Sequence, residues 1–231
     1  MQVLDMFGPY SYPLPTGTYQ RHAGVFGDRM RELAERKYVH GVLQCGGAWA
    51  PDNEYRSTDL YEHQAFMTPD QLRLEVFHGI SHGLRGIVYW PVDNLLPRRG
   101  PTAIANGDRL NEAAIIGCEL EYLGPLIVGG DAVEGATTNQ PEVTAYQIDG
   151  DGYTLVVLTK MRDDYSRAMD EAVAQNLQVH VPGHRFKYAW SLTAPRVEPL
   201  KVAAQSNGCQ VTLPRLEIAS VIVLSGDATV G

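Results

Sequence analysis

The chain is poor in cysteine, in long apolar runs and in clustered positive charge. Its three cysteines, Cys45, Cys118 and Cys209, lie far apart, form no CxxC pair and are odd in number. That pattern argues against a disulfide framework and against a cysteine zinc site. All three have apolar neighbours and read as buried free thiols. No window reaches the ~18 apolar residues of a membrane-spanning helix. The opening MQVLDMFGPY has no basic segment and no long apolar stretch, so it does not read as a secretory signal. There is no Lys/Arg run, and the net charge of -8 disfavours a phosphate-backbone partner. Internal repeats and low-complexity tracts are also lacking.

What is present is enough for a core. The 231 residues are 44% hydrophobic and 20% charged, a composition that buries apolar surface rather than staying disordered. Residues 2–6 read as a short strand, followed by the turn-rich FGPYSYPLPTGTY. Residues 24–38 read as a helix, with Val25, Phe26, Met30, Leu33 and Ala34 at helical spacing. HGVLQCGGAW gives a strand over 40–45. A charged loop over 48–67 carries Trp49, Glu54, Arg56, Asp59 and Glu62; long loops after strands often carry function, although a solvated surface explains these charges equally.

The stretch TPDQLRLEVFHGISHGL reads as a helix with Thr68 as N-cap, Pro69 at its first position and Asp70 at the positive end of its dipole. GIVYW over 86–90 follows as a strand buried on both faces, and 108–122 is the next helix, after a loop over 94–104. The first 125 residues thus alternate strand and helix, the pattern of a parallel sheet. Beyond them the pattern changes. Asp149-Gly150-Asp151-Gly152 marks a hairpin, and NLQVHVPG, RFKYAWSL, CQVTLP and EIASVIVLSG read as further short strands of a β-sandwich. Residues 161–174 form a polar excursion. The fold expected is therefore α/β followed by all-β, with a βα domain over 1–125 and a sandwich domain over 126–231.

Several side chains bear chemistry. Trp90 ends an apolar strand and reads either as a stacking platform or as a core residue under the following loop. Asp5 and Asp93, at or just beyond strand ends, could bind hydroxyls or move a proton; loop capping is the commoner use of such residues. Gln44 is an amide in an apolar strand, where it must be hydrogen-bonded; it binds a ligand hydroxyl or ties down the next loop. His78 and His82 have metal-capable spacing, but HGISH lacks the glutamate of a zincin, and packing is the better reading. His180 and His184 bracket a Pro-Gly turn and read as surface. No metal site and no cofactor is expected.

These stretches resemble the C-terminal part of a (β/α)8-barrel glycoside hydrolase of the retaining barrel clan. LDMFGPYSYPLP is similar to the sixth barrel strand and its loop, GVLQCGGAW to the seventh, and TPDQLRLEVFHGISHGLRGIVYWP to the helix and eighth strand that follow. A helix and an antiparallel sandwich come next, as in many such enzymes. The resemblance implies a partial barrel of about three βα units, and carbohydrate as the ligand, with Trp90, Gln44, Trp49, Tyr10 and Tyr12 as its binding wall. It does not supply a catalytic pair. The acid/base carboxylate belongs to a strand this chain does not contain, and the nucleophile's position falls on Gln44, whereas a retaining mechanism needs two carboxylates about 5 Å apart. Asp5 and Asp93 are weak catalytic candidates. A barrel needs eight strands to close, so the expected partner is a second copy or another chain supplying the missing strands. The alternatives are a non-catalytic carbohydrate-binding or structural module, or a fragment without independent activity.

Overall fold

The computed structural model describes residues 6–7, 10–11, 38–44, 68–90, 102–160, 173–183, 185–193 and 196–228. These are mostly antiparallel sheet with two helices. The smaller part is a parallel sheet of β1 (Met6–Phe7), β2 (Tyr10–Ser11), β3 (Tyr38–Gln44) and β4 (Gly86–Trp90). Strands β1, β2 and β4 all pair parallel with β3. Met6 pairs with Tyr38 and Tyr10 with Val42 at the same offset, so β1 and β2 are two pieces of one line. Pro9 lies between them in sequence and has no N–H to give to a ladder.

Parallel neighbours need a crossover, and helix α1 (Pro69–Ser81) lies between β3 and β4 in the chain. Its start is a capping box: the Gln71 amide donates to Thr68 Oγ1 at 3.2 Å, and the Thr68 amide donates to Gln71 Oε1 at 2.9 Å. Its end is set by two glycines. Gly83 has φ +100°, and a Cβ on Gly79 would lie 2.6 Å from Leu84 Cδ1. The Leu84 amide donates to the Gly79 carbonyl at 3.1 Å, which turns the chain back directly into β4.

Helix α2 (Thr102–Gly129) is longer than the helix expected over 108–122. It runs through Gly124-Pro125. Pro125 sits on the exposed side, where water can take the carbonyl left without a donor, while Leu123 and Ile127 stay buried.

The larger part is antiparallel. A six-stranded sheet runs β11 (Arg196–Leu200), β10 (Tyr188–Thr193), β14 (Ala219–Ser225), β8 (Tyr153–Lys160), β7 (Val143–Gly150) and β5 (Asp131–Val133). A four-stranded sheet runs β12 (Val202–Gln205), β13 (Gly208–Leu216), β9 (Ala174–Pro182) and β6 (Thr137–Thr138). The expected hairpin joins β7 to β8, with Gly150 opposite Tyr153 and Gly152 at φ +80°.

The six-stranded sheet is a middle layer. Along β8, Leu155 and Val157 join the core shared with α1 and α2, while Val156 and Leu158 join the core shared with the four-stranded sheet. Strand β14 divides in the same way, Val221 and Val223 against the helices, Ile222 and Leu224 against the other sheet. Helix α1 is consequently buried at every residue from Gln71 to Ser81.

Other expectations need correction. Tyr38 belongs to β3, not to the helix expected over 24–38, and Ala174 opens β9 rather than closing a polar excursion. Cys118 is exposed, because it lies on the solvent side of α2; Cys209 is buried as expected, and burial pushes its thiol pKa up. His78 is buried and packs edge-on against His82 and Tyr146, with ring centroids 4.5 and 5.8 Å away. Cys45, His184 and the charged loop residues Glu54, Arg56, Asp59 and Glu62 lie outside the described residues.

Candidate functional site

The C-terminal ends of the parallel strands come together. Gln44, the last residue of β3, is the register partner of Trp90, the last residue of β4. On the other side of β3, Tyr10 pairs with Val42 and Ser11 with Leu43. Three of the residues expected to bind ligand, Gln44, Trp90 and Tyr10, therefore sit at one end of one sheet. In parallel α/β architecture, ligands bind in the crevice outside the carboxyl ends of the strands. Asp5, Tyr12, Trp49 and Asp93 lie outside the described residues. An amide at position 44 can donate and accept a hydrogen bond but cannot act as a carboxylate nucleophile.

Helix α1, which joins β3 to β4 in the chain, is tied to α2. The Arg73 guanidinium donates to both oxygens of Glu119, at 3.0 and 2.8 Å, and through Nε to Glu112 at 2.7 Å. Glu112 and Glu119 are two helical turns apart on α2, so one arginine clamps the two helices along their contact. Burial works against the charge of Arg73, but its hydrogen bonds to Glu119 and the two carboxylate charges outweigh this and raise its pKa further. Sequence reading missed this clamp; the seven-residue spacing of two glutamates on one helix was the signal available.

Among the described residues, two hollows lie against the helices. One, of about 330 Å³, opens between the end of α1, β4 and α2, lined by Ile80, Leu84, Ile87, Tyr89, Leu120 and Ile127 together with Arg85 and three glycines. Val88, between Ile87 and Tyr89, points to the opposite face of β4 and is 44% exposed, so this strand is not buried on both faces as expected. The other, of about 540 Å³, lies where the helix pair meets the end of the sandwich, with Asp70, Arg73, Glu112, Glu198, Arg215 and Glu217 on its wall. There Asp70 has its pKa raised, first by burial and then by the charge of Glu217, with Arg73 pulling the other way. No group of three or more His, Cys, Asp and Glu side chains forms a metal cage among the described residues.

No family model matches the chain, and no curated protein resembles it in sequence. Solved structures do resemble it. A protein described as a glycoside hydrolase shares 15% identity at a TM-score of 0.52, over 96% of this chain and 49% of that one. The alpha-fucosidase of Thermotoga maritima shares 12% identity at a TM-score of 0.50, over 97% of this chain and 43% of that one. The fold is thus glycoside hydrolase-like, and the chain spans less than half the length of either structure.

Proposed function

We propose that this chain is the C-terminal portion of a carbohydrate-handling (β/α)8-barrel protein. In this reading, residues 1–125 correspond to barrel strands six to eight with their helices, and residues 126–231 to the accompanying sandwich. A partner chain, a second copy or a preceding segment supplies the remaining strands. The observation that carries the reading is the register of Gln44 with Trp90 at the carboxyl end of a parallel sheet that continues into an antiparallel sandwich. The exposure of Val88 and the apolar hollow beside β4 support an incomplete barrel, since parallel sheets are normally covered on both faces.

Trp90 is the stacking surface, Gln44, Trp49, Tyr10 and Tyr12 form the rest of the wall, and Asp5 and Asp93 are the carboxylates available for proton transfer. The test measures the purified chain's solution mass, its turnover of aryl glycosides and its binding of polysaccharides. Turnover lost in Asp93→Asn or Asp5→Asn supports hydrolysis. Sugar binding without turnover, lost in Trp90→Ala, supports a second reading as a non-catalytic binding module, which the neutral Gln44 at the nucleophile's position favours. A monomer that neither binds nor hydrolyses any of these sugars defeats both.

A further inference from the structure

Strand β10 carries Tyr188 and Trp190 two residues apart, so both stand on one face of the six-stranded sheet. Their ring centroids are 5.9 Å apart and their planes differ by 19°. Trp190 is partly buried and packs against the core under the helices, while Tyr188 is 41% exposed. Register sets Pro199 of the edge strand β11 opposite Trp190, and Val197 opposite Leu192. Directly opposed residues share a face, so this face reads Tyr188, Trp190, Leu192, Val197, Pro199, with Val197 50% exposed. Arg196 and Glu198 alternate with them on the other face and are also exposed. The edge strand thus sets Val197 and Pro199 on one face and Arg196 and Glu198 on the other, where Leu200 packs against the core of the sandwich.

We infer that this patch is a second carbohydrate-binding surface, one that takes a neutral oligo- or polysaccharide by stacking sugar rings on Tyr188 and Trp190. The inference rests on the carbohydrate reading proposed above for its ligand class, but it uses a different face of the molecule. Aromatic rings present an electron-rich face, which suits the weakly positive C–H face of a pyranose. The patch itself carries no charge. Stacked aromatics also receive nucleobases, but a chain of net charge -8 repels a polyanion. A neutral, flat, partly apolar ring is the ligand that meets both conditions.

The test is retention on insoluble cellulose, xylan and starch, with the far-UV spectrum and solution mass of each variant recorded alongside. The wild-type chain binds at least one of the three. Tyr188→Ala, at a largely exposed position, weakens that binding roughly three- to tenfold, and Tyr188→Phe, which keeps the ring, does not. Val197→Glu places a charge on the patch without touching either ring and also weakens binding. Equal binding by wild type, Tyr188→Ala and Val197→Glu overturns the inference; if Trp90→Ala alone then abolishes binding, the strand-end site stands without it. Retention on none of the polysaccharides overturns both. A change of solution mass in Tyr188→Ala or Val197→Glu overturns it differently, by making the patch an interface between copies.

Discussion

Arg73 sits between two glutamates of α2 in a setting with almost no solvent, its side chain 10% exposed and that of Glu119 1%. Removing one partner from such a pair leaves a buried charge behind, so Glu119→Ala should cost about 3–5 kcal/mol in urea unfolding. Replacing both, as Arg73→Met with Glu119→Leu, should recover part of that loss, because the desolvation penalty of those two charges goes with them while Glu112 keeps its own. At the other end of α1, Gly83→Ala should cost about 1–2 kcal/mol, since φ +100° is strained for any residue with a Cβ. Asp70 gives a pH-dependent signal. Its folded pKa is raised, so the fold holds its proton more tightly than the unfolded chain does. Its contribution to stability is full below the ordinary aspartate pKa and is lost as pH rises through the raised value. Glu217→Gln removes the second cause of the shift, and the Asp70 midpoint followed by carboxyl NMR should move down; an unmoved midpoint would mean the two carboxylates do not feel each other.

At the scale of elements, local chemistry was most readable where it acts alone. Thr68-Pro69-Asp70-Gln71 announces the start of α1, and the Asp149–Gly152 run announces its hairpin, because caps and turns are fixed by a few neighbouring residues. The extent of α2 was hidden, since Gly124-Pro125 is a local stop that the distant packing of Leu123 and Ile127 overrides. Strands β11 and β12 went unread as well: most of their residues are exposed, so no burial rhythm marks them. The strand-end site was legible as residue types, Gln44 and Trp90, but their adjacency depends on parallel register, which no short stretch encodes. The double-sided burial of β8 yields a prediction here. Leu155→Ala and Leu158→Ala point to opposite faces, yet each should cost about 2–5 kcal/mol. A near-neutral Leu155→Ala would mean that the helices do not cover this face.

At the scale of the whole molecule, the helices that follow the parallel strands share one core with the antiparallel sheet. Leu72, Val76, Phe77 and Ile116 pack with Leu155, Val157, Val221 and Val223. Calorimetry of the purified chain should therefore give a single transition rather than separate ones for the βα part and the sandwich; two resolved transitions would show that this shared core contributes little. The burial of α1 also sets an order of events in time. Amide hydrogens exchange with solvent only when their segment opens, and the deepest segments open last. The residues from Gln71 to Ser81 should be among the slowest of the chain to take up deuterium, so that the turn delivering Trp90 stays anchored while the more exposed edge strands β11 and β12 come and go.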